Sequence, residues 1–185
     1  GTGAIEVVPR RILVLHDQPP GRDPATSDAH RYLSMPLHWL GLRVDLWNVR
    51  ERPPPTGPLA DRYAGVVAWF NGNTAGRGWD LPGWLRGARE QGLRIVFVNG
   101  FGATLESGVG ALLGLVPVAG RPEAPLTLRT RDPIVGYEIE PAPTRADLQP
   151  LVATGAVERL IELADARGRA YDAAAITGWG GFVLA

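Results

Sequence analysis

Three short runs of apolar residues, each stopped by polar or glycine-rich positions, punctuate the first half of the chain: 11–17 (Arg-Ile-Leu-Val-Leu-His-Asp), 64–70 (Ala-Gly-Val-Val-Ala-Trp-Phe) and 95–98 (Ile-Val-Phe-Val). Continuous apolar runs of this length are the signature of strands buried on both faces of a sheet. Residues 42–49 alternate instead and predict a strand nearer the sheet edge. Between these runs the period changes from two to about 3.6. Ala29, Leu33, Leu37 and Leu40 fall on one helical face, with Thr26, Ser27 and Asp28 as candidate caps, and Pro36 predicts a kink near Tyr32. A second helix opens at Asp80 with Pro82 in its first turn, runs to Gln91 on Leu81, Trp84, Leu85 and Ala88, and closes at Gly92. A third is predicted on Leu105, Val109, Leu112, Leu113 and Val116, with Pro117 as its stop. Strand, helix, strand, strand, helix, strand, helix is the grammar of a parallel sheet with helices on both faces, and it predicts the strand order 2-1-3-4 of flavodoxin-like folds.

Beyond Pro117 the pattern turns to strands: 126–130, 135–139, 157–165 and 169–176, the last two joined by Ala166-Arg167-Gly168 as a hairpin turn. A short strand, 179–184, is entered through the glycine pair Gly180-Gly181. The expected organisation is therefore a linker over 1–10, an α/β unit over 11–120, and a β-rich antiparallel extension over 121–185 packed on the same domain. Pro53, Pro54, Pro55 and Pro58 make a stiff connection between the second and third strands.

Composition narrows the chemistry. The 19 basic residues are all Arg, balanced by 19 acidic ones. Zero net charge supplies no electrostatic footprint for nucleic acid or an anionic membrane, and no stretch reaches the roughly 20 apolar residues of a membrane helix. Without Lys there is no Schiff-base amine and no phosphate-loop lysine. Without Cys there is no thiolate nucleophile, disulfide or thiolate-bound metal, a composition that suits an exported protein. His30 and His38 lack acidic companions at ligand spacing, so no metal is expected, and the absence of a complete Gly-x-Gly-x-x-Gly turn argues against a dinucleotide. No cofactor is expected.

Loops after the first, third and fourth strands should meet at the carboxyl edge of the sheet, where open α/β sheets bind ligands. They carry His16 and Asp17, then Asn71 and Asn73, then Asn99, Gly100, Phe101 and Gly102. Asp17 is a candidate base or ligand-orienting carboxylate, and equally a group that ties down loop amides while His16 packs at the strand end. Asn71, Asn73 and Asn99 can line a polar cleft, or satisfy their own turns. The strand–turn–helix corner at 94–105 has the outline of a nucleophile elbow, but its apex is Phe101, which cannot attack a carbonyl. Of six tryptophans, Trp47 and Trp69 in strands and Trp39 and Trp84 in helices are expected in the core. Trp79, at the cleft edge, and Trp179 are the two candidates for stacking on a sugar ring. No catalytic residue is assigned; the ligand-binding candidates are Asp17, Asn71, Asn73, Asn99, Trp79 and Trp179.

Asn71-Gly72 after the third strand, followed by a helix and Val98-Asn99-Gly100-Phe101-Gly102-Ala103, resembles the layout of class I glutamine amidotransferase-like domains. In these the first loop supplies oxyanion-hole amides and the second carries a Gly-x-Cys-x-Gly elbow. Phe101 stands where that nucleophile would be. The hairpin Leu163-Ala164-Asp165-Ala166-Arg167-Gly168-Arg169-Ala170-Tyr171-Asp172 and the ending Thr177-Gly178-Trp179-Gly180-Gly181-Phe182 resemble the middle domain of the PelA family of periplasmic Pel exopolysaccharide-processing proteins. That resemblance implies a non-catalytic domain between a hydrolase barrel and a deacetylase, in the periplasm, in contact with an amino-sugar polysaccharide. The alternative drawn from the residues is a small hydrolase or ligand-binding domain using Asp17, Asn71 and Asn99.

Overall fold

The computed structural model describes residues 9–73, 78–130 and 149–184. Among them, eight strands form one sheet and two more a small antiparallel pair. The parallel half is built from β1 (Arg11–His16), β2 (Arg43–Asn48), β3 (Gly65–Trp69) and β4 (Arg94–Val98). Their order is β2-β1-β3-β4, as the pattern predicts. Because β1 is buried on both sides, its alternate residues serve two cores. Leu13 and Leu15 join the large cluster that includes Leu81, Leu85, Ile95 and Phe97, whereas Ile12 and Val14 pack with Ala29, Leu33 and Leu37.

The helices follow the caps only partly. Asp80 accepts the N–H of Gly83 and starts α2 (Leu81–Glu90), which buries Leu81, Leu85 and Ala88. On the opposite face, Pro36 has no N–H to donate to the carbonyl four residues before it. The chain answers with a π-helical segment, His30–Ser34, before α1 (Met35–Trp39). A π segment places an extra residue in the turn and rotates everything after it, so Leu40 leaves the apolar face and Trp39, expected in the core, is 91% exposed. The third helix is also shorter than predicted. Gly108 and Gly114 both take positive φ, 91° and 65°, and divide the segment into a 3₁₀ turn (Leu105–Ser107), a short helix α3 (Val109–Leu113), and a strand, β5 (Leu115–Pro117), that includes Val116.

The remaining strands are β6 (Thr127–Thr130), β7 (Leu151–Ala153), β8 (Val157–Ala164), β9 (Ala170–Thr177) and β10 (Gly180–Val183). β7 pairs with β5, and the other four extend the main sheet in the order β4-β10-β9-β8-β6. β10 is parallel to β4 and antiparallel to β9, so the last of the described strands sits inside the sheet and joins its two halves. Gly180, at φ 139°, permits this: a Cβ there would lie 2.0 Å from the Ile95 carbonyl oxygen. The expected strand at 135–139 lies outside the described residues.

The turn from β8 to β9 is held by a single carboxylate. Asp165 accepts the N–H groups of Arg167 and Arg169, the Tyr171 hydroxyl at 3.0 Å and the Arg169 guanidinium at 2.8 Å. It also accepts Glu123 N–H at 3.4 Å, and Glu123 in turn pairs with Arg167. Burial pushes the Asp165 carboxyl up, but the donors of Arg169, Glu123 and Tyr171 outweigh it and hold the group well below the usual carboxylate range. Asp172 has a similar role in the neighbouring layer, accepting Ala153 N–H at 2.7 Å and Arg159 Nε–H at 2.8 Å, which fixes β7 to β9 and β8.

Candidate functional site

The parallel register places the strand ends side by side. His16 is level with Asn48 and Trp69, and Trp69 with Val98, so Asp17, Phe70, Asn71 and Asn99 emerge together at one edge. Asp17, 2% exposed, accepts the backbone N–H of Asn71 at 3.0 Å and its side-chain amide at 3.5 Å. Its other oxygen lies 3.6 Å from the Arg50 guanidinium, which arrives from the end of β2. Asn99, at φ 70°, turns its amide back to donate to Phe70 O at 3.1 Å and to Asn71 Oδ1 at 2.8 Å. Trp69 Nε1–H donates to the same Asn71 oxygen at 3.3 Å. Three of the six candidate residues therefore meet, in a network that binds three strand ends to one another.

Asn71 divides two clefts. On one side Asn71, Asn73, Asn99, Phe101 and Gln149 line a polar opening of about 290 Å³. Its floor is tight: a Cβ at Gly100 would stand 2.8 Å from Phe70 O, so the corner loop rests directly on the end of β3. On the other side, His16, Asp17, Thr26, Ser27 and Trp69 surround a cleft of about 160 Å³.

The corner itself is closed by packing. Phe101 is 7% exposed, with ring centroids 5.3 Å from Phe97 and 5.7 Å from Phe182. A nucleophile elbow presents its apex above the start of a helix; here the apex points into an aromatic cluster, and a 3₁₀ turn follows it.

No protein-family model matches the chain, and no curated protein matches it. Function is therefore read from the site.

The two tryptophans singled out for sugar stacking lie elsewhere. Trp179 is 6% exposed, meets Phe97 edge-on at 6.0 Å and donates Nε1–H to Leu113 O at 2.8 Å, so it has no face to offer a sugar. A glycine-rich neighbourhood suggested exposure, but those glycines serve the close approach of β10 to β4. Trp79 is half-buried and edge-on to Trp84 at 6.4 Å. It lines a separate groove of about 370 Å³ between α2 and the proline-rich connection, with Pro53, Pro54, Trp84 and Gly87, rather than the cleft beside Asn99.

Two residues that matter were not singled out for it. Arg50 completes the surroundings of Asp17, and its position just past an edge strand parallel to β1 was the signal that pointed there. His16 is 3% exposed with Nδ1 bonded to none of the described residues. Burial pushes its pKa down, and the charges of Asp17 and Glu51 oppose that without reversing it. Among the described residues no helix is long and apolar enough to cross a membrane.

Proposed function

We propose that this chain is a non-catalytic α/β domain of a Pel-type exopolysaccharide-modifying protein, flavodoxin-like in strand order and amidotransferase-like in layout. It orients a hydrolase domain and a deacetylase domain around it and works in the periplasm. Its contact with the amino-sugar polymer runs along the cleft of Asn71, Asn73, Asn99 and Gln149, whose amides suit hydroxyl and acetamido groups.

The observation that carries this reading is Phe101. The corner where an amidotransferase holds its nucleophile is filled by a ring committed to Phe97 and Phe182. Asp17, at the same sheet edge, has an oxygen engaged by the Asn71 amide and faces Arg50, the arrangement of a structural carboxylate. The order β2-β1-β3-β4 supports the flavodoxin-like assignment, and the hairpin and C-terminal motifs support the Pel assignment.

The experiment is a titration of the isotopically labelled chain with galactosamine and glucosamine oligomers, partly N-acetylated, alongside hydrolase and amidase assays. Saturable shifts at Asn73, Asn99 and Gln149 without turnover are expected. Turnover abolished by Asp17→Ala would overturn the non-catalytic reading, and silence of the cleft toward every oligomer would overturn the polymer contact.

A further inference from the structure

The smaller cleft, on the far side of Asn71 from the polymer path, has properties that a packing defect would not have. It opens where the chain diverges. After β1 the connection passes to the helical segment 28–39 on one face, and after β3 it passes to α2 on the other, so the ends of these neighbouring strands are not bridged by one loop. In open α/β sheets that divergence is the crevice in which ligands sit. Two side chains more than nine-tenths buried line it with polar atoms that accept no hydrogen bond from the described residues: His16 Nδ1, and Asp17 Oδ2, whose one charged neighbour among them is the Arg50 guanidinium at 3.6 Å. A buried polar atom without a hydrogen bond is costly to the fold, so His16 Nδ1 at the base of a cleft, beside a carboxylate oxygen that can still accept a hydrogen bond, is an observation in need of a partner.

The hydroxyls and the Gln18 amide around the cleft are already engaged. Thr26 Oγ1 donates to Asp23 O at 2.8 Å and Ser27 Oγ to Pro24 O at 2.7 Å, while Ser27 Oγ also accepts His30 N–H. Gln18 donates to Asp23 O and to Thr26 Oγ1, both at 3.2 Å. With these hydroxyls spent, the base of the cleft presents acceptors, and the Arg22 guanidinium stands at its rim. Its charges also balance: Asp17 faces Arg50, and Arg22 on the rim offsets Asp28. Trp69 supplies an apolar wall that cannot swing away, because Tyr32 stacks on it at 5.5 Å and its N–H is held by Asn71. At about 160 Å³ the space is well below the roughly 300–1,000 Å³ of sites for drug-sized ligands.

We propose that this cleft binds a small, uncharged polyhydroxylated molecule of monosaccharide size, whose hydroxyl groups donate to His16 Nδ1 and Asp17 Oδ2 while its ring lies against Trp69. The site is separate from the polymer path and stands or falls independently of it. Balanced charges give an ion no advantage over a neutral ligand, and a nucleotide is disfavoured by size.

The test is nuclear magnetic resonance on the labelled chain, following the His16 imidazole and the amides of Thr26, Ser27 and Asn71 during titration with D-glucose, D-galactose and inorganic phosphate. Saturable shifts with at least one sugar are expected at millimolar concentrations. His16→Leu should weaken binding by about tenfold, as loss of one hydrogen bond in a buried site would, and His16→Asn, which restores a polar atom near the Nδ1 position, should recover most of it. Because His16 is a core residue, Thr26→Trp provides a second variant: it lies on the exposed rim and should fill the cleft and abolish the shifts without disturbing the fold. Absence of saturable shifts with both sugars, shifts with phosphate alone, or sugar shifts that survive Thr26→Trp unchanged would each overturn the assignment.

Discussion

Gly180 lies so close against Ile95 that no side chain fits between them: an added Cβ would stand 2.0 Å from the Ile95 carbonyl oxygen and 2.7 Å from its nitrogen. The contact is backbone on backbone, at the seam where β10 pairs with β4. Gly180→Ala should destabilise the fold by more than about 3 kcal/mol, combining a strained φ with an overpacked seam. Urea unfolding followed by tryptophan fluorescence measures this directly, since Trp179 is the adjacent residue. A loss below about 1 kcal/mol would mean that β10 shifts readily along β4, contrary to the pairing described.

Phe101 is expected to behave as a core residue. Phe101→Ala should cost about 3–5 kcal/mol, the range for removing a large buried ring. Phe101→Cys should lose stability as well and gain no amidase or esterase activity, because the apex points toward Phe97 and Phe182 and no described histidine is held against it. Differential scanning calorimetry and a chromogenic ester assay check the two halves.

Asp17→Ala removes the acceptor for the Asn71 amide and leaves Arg50 without its carboxylate. The expected cost is about 3 kcal/mol, seen as a lower denaturation midpoint with an unchanged slope. The amide of Asn71 should also exchange with solvent faster. An unchanged midpoint would show that the three strand ends hold together without it.

Two groups give stability a defined dependence on pH. Asp165 has a folded-state pKa held below its unfolded value, so its contribution is fully present above about pH 4 and is lost as pH falls from there through the folded value. His16 is also shifted down, but as a base: the folded state binds its proton less readily than the unfolded chain, so stability begins to fall as pH drops below about 6.5. Melting temperature against pH should show both limbs. Asp165→Asn should flatten the acid limb and His16→Asn the one near neutrality, and neither variant should alter the other's limb.

How much of this was legible beforehand depended on the element. β1, β3 and β4 stand out because burial on both faces demands unbroken apolar runs, and the meeting of Asp17, Asn71 and Asn99 follows from parallel strands ending level. The apolar spacing overextends the third helix because it continues through Gly108 and Gly114, whose positive φ values break the helix without breaking the pattern. β5 and β7 are three residues each, too short for any period to register. Helical spacing misplaces Trp39 because the π segment ahead of Pro36 changes the rotation between residues, something a wheel of constant pitch cannot represent. The placement of β10 beside β4 was hidden for a different reason. Pairing partners are a property of the whole sheet, and two glycines in a four-residue strand carry almost no side-chain signal.

The position of β10 also sets an order of events during synthesis. β1 to β4 leave the ribosome early and can assemble, and β8 and β9 can zip as a hairpin, yet the facing edges of β4 and β9 have nothing to bind until residues 180–183 emerge. Through that interval β4 carries an open strand edge, joined only at the end by that of β9, and an open edge is the geometry that recruits foreign strands. Closure comes with the insertion of a single four-residue strand, and the vulnerable window lasts as long as the ribosome takes to reach it.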